Sequence, residues 1–429
     1  MKKIPFPAKV SWEALCRRTE LDKTYLEDIV RNIINSVKLN GDNALIKFSE
    51  KFDGVSLKNL KVTTSEISES GRLIPEELKT AIKVAKANIE KFHSTQLMSE
   101  PVIETCNGVK CWRRNVAIEK VGLYIPGGSA PLFSTVLMLA IPAKLAGCKE
   151  IIMCTPPDRK GNVNPLILFT ARLTGITDIF KIGGAQAIAS LAYGTESVPK
   201  VFKIFGPGNQ FVTKAKEMVQ RDGIAIDMPA GPSELLVIAD GTAMPDFIAA
   251  DLLSQAEHGA DSQVILLTED DKLIELVNNE IEKQIQQLPR KEIALKAMEN
   301  SKFILLHTLE ECIYFSNLYA PEHLIIATSN AKELAIKVLN AGSVFLGNYS
   351  CESAGDYATG TNHTLPTNGF ARNYSGISTE SFIKRISFQE VNEAGIKNLG
   401  PAIGLMAEAE LLYGHKNAVT IRLNNLKNG

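Results

Sequence analysis

Two side chains near the middle of the chain have the spacing of a metal-binding pair. Gln255 and His258 close a predicted helix just before Gly259. Residues three positions apart on a helix project from the same face, so both side chains could contact one ion. Zinc is usually bound by histidine, cysteine or carboxylate, and glutamine is an uncommon ligand. The spacing therefore indicates either one arm of a metal site or an ordinary polar helix end.

An acid and an imidazole are adjacent in the segment Pro321-Glu322-His323, directly before an apolar run that predicts a strand. Adjacent Glu and His side chains can divide the work of proton transfer in catalysis. The alternative is that both are exposed residues of a loop at the rim of a sheet. The residue pattern alone leaves both interpretations open.

Further acidic and imidazole side chains gather in the last quarter of the chain. Glu352, Asp356 and His363 lie close together in a polar segment, and His415 follows Glu410 near the C-terminal end. Carboxylates and imidazoles are common metal ligands, but they are also ordinary solvated residues. These positions are candidates for a site without being sufficient to define one.

Two glycine-rich turns follow predicted strands. They are Pro126-Gly-Gly-Ser129 and Gly206-Pro-Gly-Asn209. Turns of this kind, between a strand and a helix, are where open α/β sheets bind phosphates and dinucleotides. Neither turn has the pattern G-x-G-x-x-G, so glycines that only permit tight turns are an equally good interpretation.

Composition and charge narrow the class of protein. The 429 residues are 45% hydrophobic and 22% charged, which is typical of soluble globular proteins of more than one domain. Because 47 basic residues balance 48 acidic ones, we expect neither nucleic acid nor an anionic membrane as a partner. No export signal or membrane-spanning run is evident, so a cytoplasmic location is the default expectation.

The seven cysteines are scattered without a C-x-x-C pair, and we expect them to be reduced. Cys106 and Cys111 are a weak candidate for a metal-binding pair. Because no second pair accompanies them, we favour packed thiols.

The elements that must position these residues change in type along the chain. The first hundred residues are predicted to be helical, most clearly over 75–92, where apolar residues recur at helical spacing. From about Ala117, short apolar runs alternate with helical stretches, which indicates a parallel sheet. The predicted strands of this unit are Val121–Ile125, Glu150–Cys154, Ile179–Ile182 and Val201–Phe205, with helices from about Ser134, Pro165, Ala185 and Gln210.

A second unit repeats the same alternation. Its predicted strands are Leu235–Ala239, Val264–Thr268, Phe303–Leu306, Leu324–Ala327 and Val344–Leu346, with helices near 245–256, 271–286, 309–318 and 331–341. A long functional loop is predicted after Gly347 as far as Ser378, and the last fifty residues are predicted to return to helix. The fold class that follows is α/β, with two doubly wound parallel sheets.

Taken together and in order, several segments resemble the histidinol dehydrogenase family. They are VGLYIPGGS (121–129), GGAQAI (183–188), FGPGN (205–209), DMPAGPSE (227–234), LSQAEHG (253–259), APEHL (320–324) and GHKNAV (414–419). They are spread over most of the chain. The N-terminal helices and residues 270–310 add little to the resemblance.

The resemblance implies a homodimer of subunits with two Rossmann-like units. It predicts an N-terminal arm over 1–20 and a first globular domain made of 21–122 together with 235–376. An inserted Rossmann-like unit would occupy 123–234, and a C-terminal dimerisation tail 377–429, reaching the active site of the partner subunit.

The resemblance also assigns roles to individual residues. It implies zinc held by Gln255, His258, Asp356 and His415, the last from the other subunit. The implied NAD contacts are Tyr124, Gln186 and Asn209. Glu322 and His323 are the implied catalytic pair, and the substrate contacts include this pair, the four metal ligands and a further group consisting of Ser233, His363 and Glu410.

The implied activity is the last part of histidine biosynthesis, in which L-histidinol is oxidised through L-histidinaldehyde to L-histidine by two NAD. A histidine with the ordinary pKa near 6.5 would suit His323 as the base in both oxidations. Glu322 would activate the water that adds to the aldehyde. The alternatives are a zinc hydrolase, because a metal beside Glu-His can activate water, and a binding or scaffold protein without activity.

Overall fold

The structure of the protein is a computed structural model, which describes residues 1–18, 23–127, 131–229 and 231–428, without the side chains of 23, 24 and 428. The strands are β1 Lys2–Pro5, β2 Ile103–Cys106, β3 Val109–Ala117, β4 Lys120–Tyr124, β5 Glu150–Thr155, β6 Asp178–Lys181, β7 Lys203–Phe205, β8 Ala225–Ile226, β9 Glu234–Ala239, β10 Gln263–Thr268, β11 Lys302–Leu305, β12 His323–Ala327, β13 Ser343–Leu346 and β14 Ile383–Val391.

The helices alternate with these strands over most of the chain. They are α1 Trp12–Leu15, α2 Lys23–Phe48, α3 Thr64–Glu69, α4 Glu76–Ser94, α5 Phe133–Ala146, α6 Pro165–Leu173, α7 Gly184–Tyr193, α8 Gln210–Gln220, α9 Pro245–Ala256, α10 Asp271–Gln284, α11 Lys291–Glu299, α12 Leu309–Tyr319, α13 Ala331–Ala335, α14 Glu352–Tyr357, α15 Glu393–Ala409 and α16 Tyr413–Asn428. Among the helices that the structure describes, none combines the length and apolar character needed to cross a bilayer.

The first sheet is parallel and has the strand order β6-β5-β4-β7-β8. One of its faces packs against α2, α7 and α8, and the other against α5 and α6. A sheet covered on both faces needs apolar side chains on both sides of each strand. This explains why its strands are continuous apolar runs in the sequence.

The second sheet is also parallel, with the order β1-β11-β10-β9-β12-β13. Helices α9, α10 and α11 cover one face, and α1, α12 and α13 cover the other. Apart from the added β1, both sheets run third, second, first, fourth, fifth in chain order, which is the doubly wound arrangement. The prediction of two Rossmann-like sheets is confirmed.

A third, antiparallel sheet was not predicted. Strand β14 pairs with β3 from Ile383 opposite Ala117 to Val391 opposite Val109, and β2 lies on the other side of β3. The prediction that the last fifty residues are all helical is therefore wrong for β14. Most residues of β14 are exposed, so the strand lacks the apolar periodicity that identifies a half-buried strand.

Smaller differences concern single elements. The helix predicted over 331–341 ends at Ala335, because the Asn317 side chain accepts hydrogen bonds from the backbone N–H groups of Leu339 (2.7 Å) and Asn340 (3.2 Å). Helix α11 was not predicted, nor was β1, which joins the second sheet only by pairing with β11. Helix α14 lies inside the segment predicted to be a loop.

The N-terminal helices pack against the first sheet. Val30 and Leu45 of α2 belong to the same buried cluster as Phe180 of β6. Helix α4 packs its apolar face, including Ile89, against Met138 of α5. The first sheet and the N-terminal helices thus share a core, and the predicted domain boundaries stay a prediction.

Candidate active site

The predicted catalytic pair lies where the central strands of the second sheet begin. His323 is the first residue of β12, Glu322 precedes it, and Ser233 directly precedes the neighbouring strand β9. Open α/β sheets usually bind ligands at the opposite, carboxyl edge. At that edge of the second sheet the Asp240 carboxylate accepts hydrogen bonds from the N–H (2.9 Å) and hydroxyl (3.0 Å) of Ser329. The candidate site is therefore at the amino edge.

Glu322 is buried and held in a defined orientation. Its Oε2 accepts hydrogen bonds from the backbone N–H of Glu234 at 2.9 Å and from the Gln255 amide nitrogen at 3.3 Å. Only 7% of Glu322 and 3% of His323 is exposed to solvent. The alternative that this pair consists of exposed loop residues is therefore wrong.

Three carboxylates surround the His323 imidazole. Nδ1 lies 3.7 Å from Glu322 Oε2 and 4.0 Å from Glu352 Oε1, and Nε2 lies 3.3 Å from Asp356 Oδ1. Glu352 and Asp356 reach this position because both lie on α14, four residues apart. His323, Glu352 and Asp356 are close enough together to hold a metal ion.

These charges change the acid–base properties of the cluster. Burial alone would lower the pKa of His323, but Glu352, Glu322 and Asp356 outweigh it and hold that pKa well above the usual range. Burial, reinforced by Asp356 and Glu322, raises the pKa of Glu352 well above its usual value. The prediction of an ordinary pKa for His323 is therefore wrong for the protein without a bound cation. A cation bound near Asp356 would offset the carboxylates and shift the His323 pKa back down.

Unpartnered oxygen atoms in this cluster fit a metal ion. The Gln255 amide nitrogen faces Glu322, which leaves its Oε1 buried and without a hydrogen-bond partner among the described residues. Asp356 Oδ1, which lies 3.3 Å from His323 Nε2, is likewise buried and makes no hydrogen bond among the described residues. A buried polar atom without a partner costs free energy unless a ligand satisfies it. Both residues were predicted metal ligands, and both present an oxygen that a cation could take.

The other predicted metal ligands differ in position. His258, which follows α9, lies at the surface. Partial removal of its ring from water lowers the pKa of His258, and the nearby Asp356 and Glu322 carboxylates oppose this effect. His415 on α16 is exposed, as is the predicted substrate contact Glu410. Among the described residues of one chain, no hydrogen bond or ion pair connects His415 or Glu410 to the carboxylates around His323.

Two predicted substrate contacts lie beside the cluster. Ser233 is half-buried and directly precedes Glu234, whose N–H binds Glu322. His363 is held by both ring nitrogens, one 2.8 Å from the Asp356 carbonyl oxygen and the other 3.1 Å from the Thr135 hydroxyl. Because Thr135 belongs to α5, His363 links the candidate site to the first sheet.

The predicted NAD contacts line a cleft at the carboxyl edge of the first sheet. The cleft has a volume of about 1460 Å³, and Tyr124, Gln186 and Asn209 all lie on its wall. Tyr124 ends β4, Gln186 is in the first turn of α7, and Asn209 caps the N-terminus of α8. Gly127 also lines the cleft, but Gly128 and Ser129 of the first glycine-rich turn lie outside the described residues.

Polar groups on this wall are available to a ligand. Gln186 is buried, and its amide nitrogen has no partner among the described residues. The Tyr124 hydroxyl accepts a hydrogen bond from the Gly184 N–H at 3.0 Å, and burial raises the pKa of Tyr124 to about 12. The phenol therefore stays neutral and keeps its proton to donate. The cleft fits a ligand rich in hydrogen-bond acceptors, such as a dinucleotide.

The second glycine-rich turn is clamped by a buried ion pair that sequence reasoning missed. The Lys216 ammonium donates to the Gly206 carbonyl oxygen at 2.9 Å, and Asp227 Oδ2 accepts from the Gly206 N–H at 2.8 Å. Lys216 and Asp227 also pair with each other. Gly206 has a φ of 130°, and a Cβ there would lie 2.1 Å from the Tyr124 carbonyl oxygen. The turn that carries Asn209 thus depends on glycine and on this pair.

We expect Lys216→Met to destabilise the protein by about 3–5 kcal/mol, because it leaves the buried Asp227 carboxylate without its counter-charge. Because Asn209 is a predicted NAD contact, the affinity for NADH is also expected to fall as the Gly206 turn loosens. Denaturant unfolding and fluorescence titration with NADH measure the two effects. Lys61→Met, which breaks an exposed pair with Asp178, is the control and should cost at most about 1 kcal/mol. Equal results for the two variants would contradict the proposed clamp.

A second buried ion pair lies next to the predicted catalytic residues. Arg18 donates hydrogen bonds from Nε and Nη2 to the two carboxylate oxygens of Glu234, both at 2.9 Å, and its guanidinium lies 3.7 Å from the centre of the Tyr319 ring. Glu234 in turn binds Glu322 through its backbone. The adjacency of Glu234 to Ser233 could have indicated its importance, but no sequence pattern pointed to Arg18.

Comparisons with known proteins agree on one family. A sequence model described as histidinol dehydrogenase matches residues 16–423. The histidinol dehydrogenase of Bacteroides thetaiotaomicron is 59% identical over 427 residues, covering 100% of both chains. That of Escherichia coli O157:H7 is 54% identical and covers 93% of this chain and 91% of its own.

A solved structure is similar throughout. The crystal structure of histidinol dehydrogenase from Elizabethkingia anophelis is 56% identical, has a TM-score of 0.98, and covers 100% of this chain and 99% of its own. The resemblance predicted from the sequence motifs is confirmed. This chain belongs to the histidinol dehydrogenase family.

Proposed function

We propose that this chain oxidises L-histidinol through L-histidinaldehyde to L-histidine, the last steps of histidine biosynthesis, with zinc as the bound metal and two NAD consumed per substrate. Family membership supports the reaction. The structural observation that carries the proposal is the buried Glu322–His323 pair beside the two unpartnered oxygens of Gln255 and Asp356.

Gln255, His258 and Asp356, with His415 of the partner subunit, are the residues that would hold the zinc. When bound, the ion would supply a Lewis-acidic centre that prefers an imidazole such as that of histidinol. In the alternative group of His323, Glu352 and Asp356, His323 would be a ligand. An imidazole nitrogen that binds a metal cannot accept a proton, so we assign His323 to proton transfer instead.

In the first oxidation His323 accepts the proton of the substrate hydroxyl as a hydride leaves the same carbon. NAD, when bound in the cleft at the first sheet, supplies the hydride acceptor. The carboxylates around His323 stabilise the imidazolium that results. Burial of the cluster keeps bulk water away from the ring and strengthens these interactions.

In the second oxidation the aldehyde must first add water, because its carbonyl carbon has no tetrahedral centre from which a hydride can leave. Glu322 accepts a proton from that water, and its Oε2 is already oriented by the Glu234 N–H. The imidazolium of His323 left by the first oxidation gives its proton to the carbonyl oxygen as the water adds, so the neutral His323 can then accept a proton from the hydrate as the second hydride leaves for a second NAD. The two residues thus divide the proton transfers between them.

Replacing Glu322 with glutamine should slow aldehyde oxidation by about 10²-fold or more, because an amide cannot accept the proton of water. Oxidation of histidinol to the aldehyde should be much less affected. Separate assays starting from L-histidinol and from L-histidinaldehyde distinguish the two steps. Glu77→Gln, on the exposed surface of α4, is the matched control. An equal loss in both half-reactions would count against this division of roles.

We also propose that the enzyme is a homodimer that works in the cytoplasm. The tail supports a dimer, because its two helices and the turn between them leave large apolar side chains in contact with solvent: Leu405, Met406, Leu411, Tyr413 and Ile421. The tail over 377–429 would then be the dimerisation segment and carry Glu410 and His415 to the partner's site. The inserted unit would be 123–234, which contains the first sheet except for the first three residues of β4.

A zinc hydrolase is the second candidate, since a metal beside Glu322 could activate water. Purified protein with zinc, L-histidinol and NAD should form NADH, and a chelator should stop the reaction. Zinc-dependent hydrolysis of amides or esters without any NADH would overturn the proposed oxidation and favour the hydrolase.

A further inference from the structure

The cleft at the first sheet extends past the predicted NAD contacts to the end of the first long helix. After α2 the chain makes one wide helical turn over Ser49–Asp53, and Gly54 ends this turn in the left-handed region. Asp53 and Phe52 line the same cleft as Tyr124. No sequence motif pointed to this segment.

Asp53 carries a buried oxygen that has nothing to bind. Its Oδ2 is inaccessible to solvent and has no hydrogen-bond partner among the described residues. Burial raises the pKa of Asp53 to about 6, so the carboxylate is still largely charged at neutral pH. An unpaired buried carboxylate is costly, and a donor from a ligand would remove that cost.

The other carboxylates on the cleft wall are already engaged. Glu66 binds Lys181 and Thr63, and Glu69 accepts from the Ser65 hydroxyl. Asp158 follows the second strand of the first sheet, where doubly wound folds often place the acid that binds a ribose. Its Oδ1, however, accepts the backbone N–H groups of Lys160 (2.8 Å) and Asn162 (2.9 Å), and the residue is exposed.

The chemistry of a carboxylate restricts what Asp53 can bind. An ionised carboxylate only accepts hydrogen bonds, so its ligand must present O–H or N–H donors. The diphosphate of a dinucleotide is anionic and offers none. The vicinal hydroxyls of a ribose offer two adjacent donors, whereas a phosphate on the 2′ oxygen would remove one donor and place two negative charges beside Asp53.

We propose that Asp53 binds the ribose hydroxyls of the adenosine half of NAD and excludes NADP, an inference that rests on the proposed use of NAD in this cleft. Asp53 is then the residue that determines cofactor specificity. It reaches the cleft from the helical segment before the first sheet, and so takes the role that Asp158 cannot fill.

The test compares Asp53→Ser and Asp53→Asn with the wild type. Fluorescence titration of zinc-free protein measures the binding of NADH and NADPH, and steady-state assays measure kcat/KM for both oxidised cofactors. We expect wild type to prefer the form without the 2′-phosphate. Removing the carboxylate should weaken NADH binding by about 10- to 100-fold, the loss expected for a charge-assisted hydrogen bond, and improve NADPH binding. The asparagine variant keeps the size of the side chain, so it tests the charge even if the serine variant folds poorly.

Asp158→Ser is the matched control and should leave the ratio of NADH to NADPH affinity unchanged. A ratio unaltered by both Asp53 variants, or altered only by Asp158→Ser, would overturn the inference. The hypoxanthine analogue of NAD lacks the adenine amino group, the other donor of the adenosine half. If Asp53 variants lose only their preference for NAD over this analogue, Asp53 binds adenine and the ribose assignment fails. Absence of NADH formation from L-histidinol by wild type would instead refute the proposed function.

Discussion

Replacing His323 with asparagine will reduce both oxidations by about 10²- to 10⁴-fold while the protein stays folded, because asparagine cannot accept a proton. His323 is the imidazole that three carboxylates surround, and it is 3% exposed. Asparagine is polar and smaller than histidine, so it fits the space without overpacking the cluster, and denaturant unfolding checks that the variant is folded. Initial rates with L-histidinol and with L-histidinaldehyde measure the two steps.

The same variant separates the two possible metal sites. If Gln255, His258 and Asp356 bind the ion, His323→Asn will retain zinc, as measured by metal analysis after dialysis. If His323, Glu352 and Asp356 bind it, zinc will be lost together with activity. His307→Asn, an exposed histidine that stacks on Phe6, is the control and should keep both zinc and activity. Wild-type rates in His323→Asn would rule out the proposed base.

Mixing two inactive variants should restore activity if the site is shared between subunits. His415→Ala chains lack the ligand given to the partner, and Gln255→Ala chains lack a ligand of their own site. A heterodimer of the two has one site with both defects and one with neither. With random exchange of subunits, about a quarter of all sites should become intact. Activity per site after exchange is the measurement.

The control mixture combines Gln255→Ala with Asp356→Ala. Both residues belong to the same chain's cluster, so every site in that heterodimer keeps one defect and activity should stay absent. Native mass spectrometry can establish that heterodimers form in each mixture. Exchange without recovery in the His415 mixture would mean that His415 acts within its own chain or has no role in the site.

Continuous apolar runs predicted the parallel strands well, because a strand that is buried on both faces needs apolar side chains at nearly every position. Strand β12 was predicted to start at Leu324, one residue late, because its first residue, His323, is polar. Strand β14 could not be predicted, since its pairing with β3 spans more than 200 residues of sequence and its side chains are mostly exposed.

The parts of the candidate site that could be predicted are those whose residues lie close together in the sequence. The adjacency of Glu322 and His323 and the spacing of Gln255 and His258 were visible in the residue pattern. Glu352 was noticed only as one of several polar residues, because its closeness to His323 depends on how α14 packs against α9 in the tertiary fold. Arg18 was missed entirely, since it meets Glu234 only through the tertiary fold.

The two sheets have the same strand order, but their proposed ligand sites lie at opposite edges. The first offers its carboxyl edge to the cofactor cleft, at the ends of β4 and β7 where the strand order reverses. In the second sheet the Asp240 side chain binds Ser329 at the equivalent point, and the amino edge carries the catalytic pair. We infer that the substrate is oxidised between the two sheets, where His363 already joins them through Thr135.

If one site carries out both oxidations, the stoichiometry of the products will show it. Zinc-loaded protein is incubated with limiting L-histidinol and excess NAD, and NADH, L-histidinaldehyde and L-histidine are measured at completion. We expect two NADH and one L-histidine for each L-histidinol, without accumulation of free aldehyde. One NADH per L-histidinol, with the aldehyde released as the final product, would contradict it.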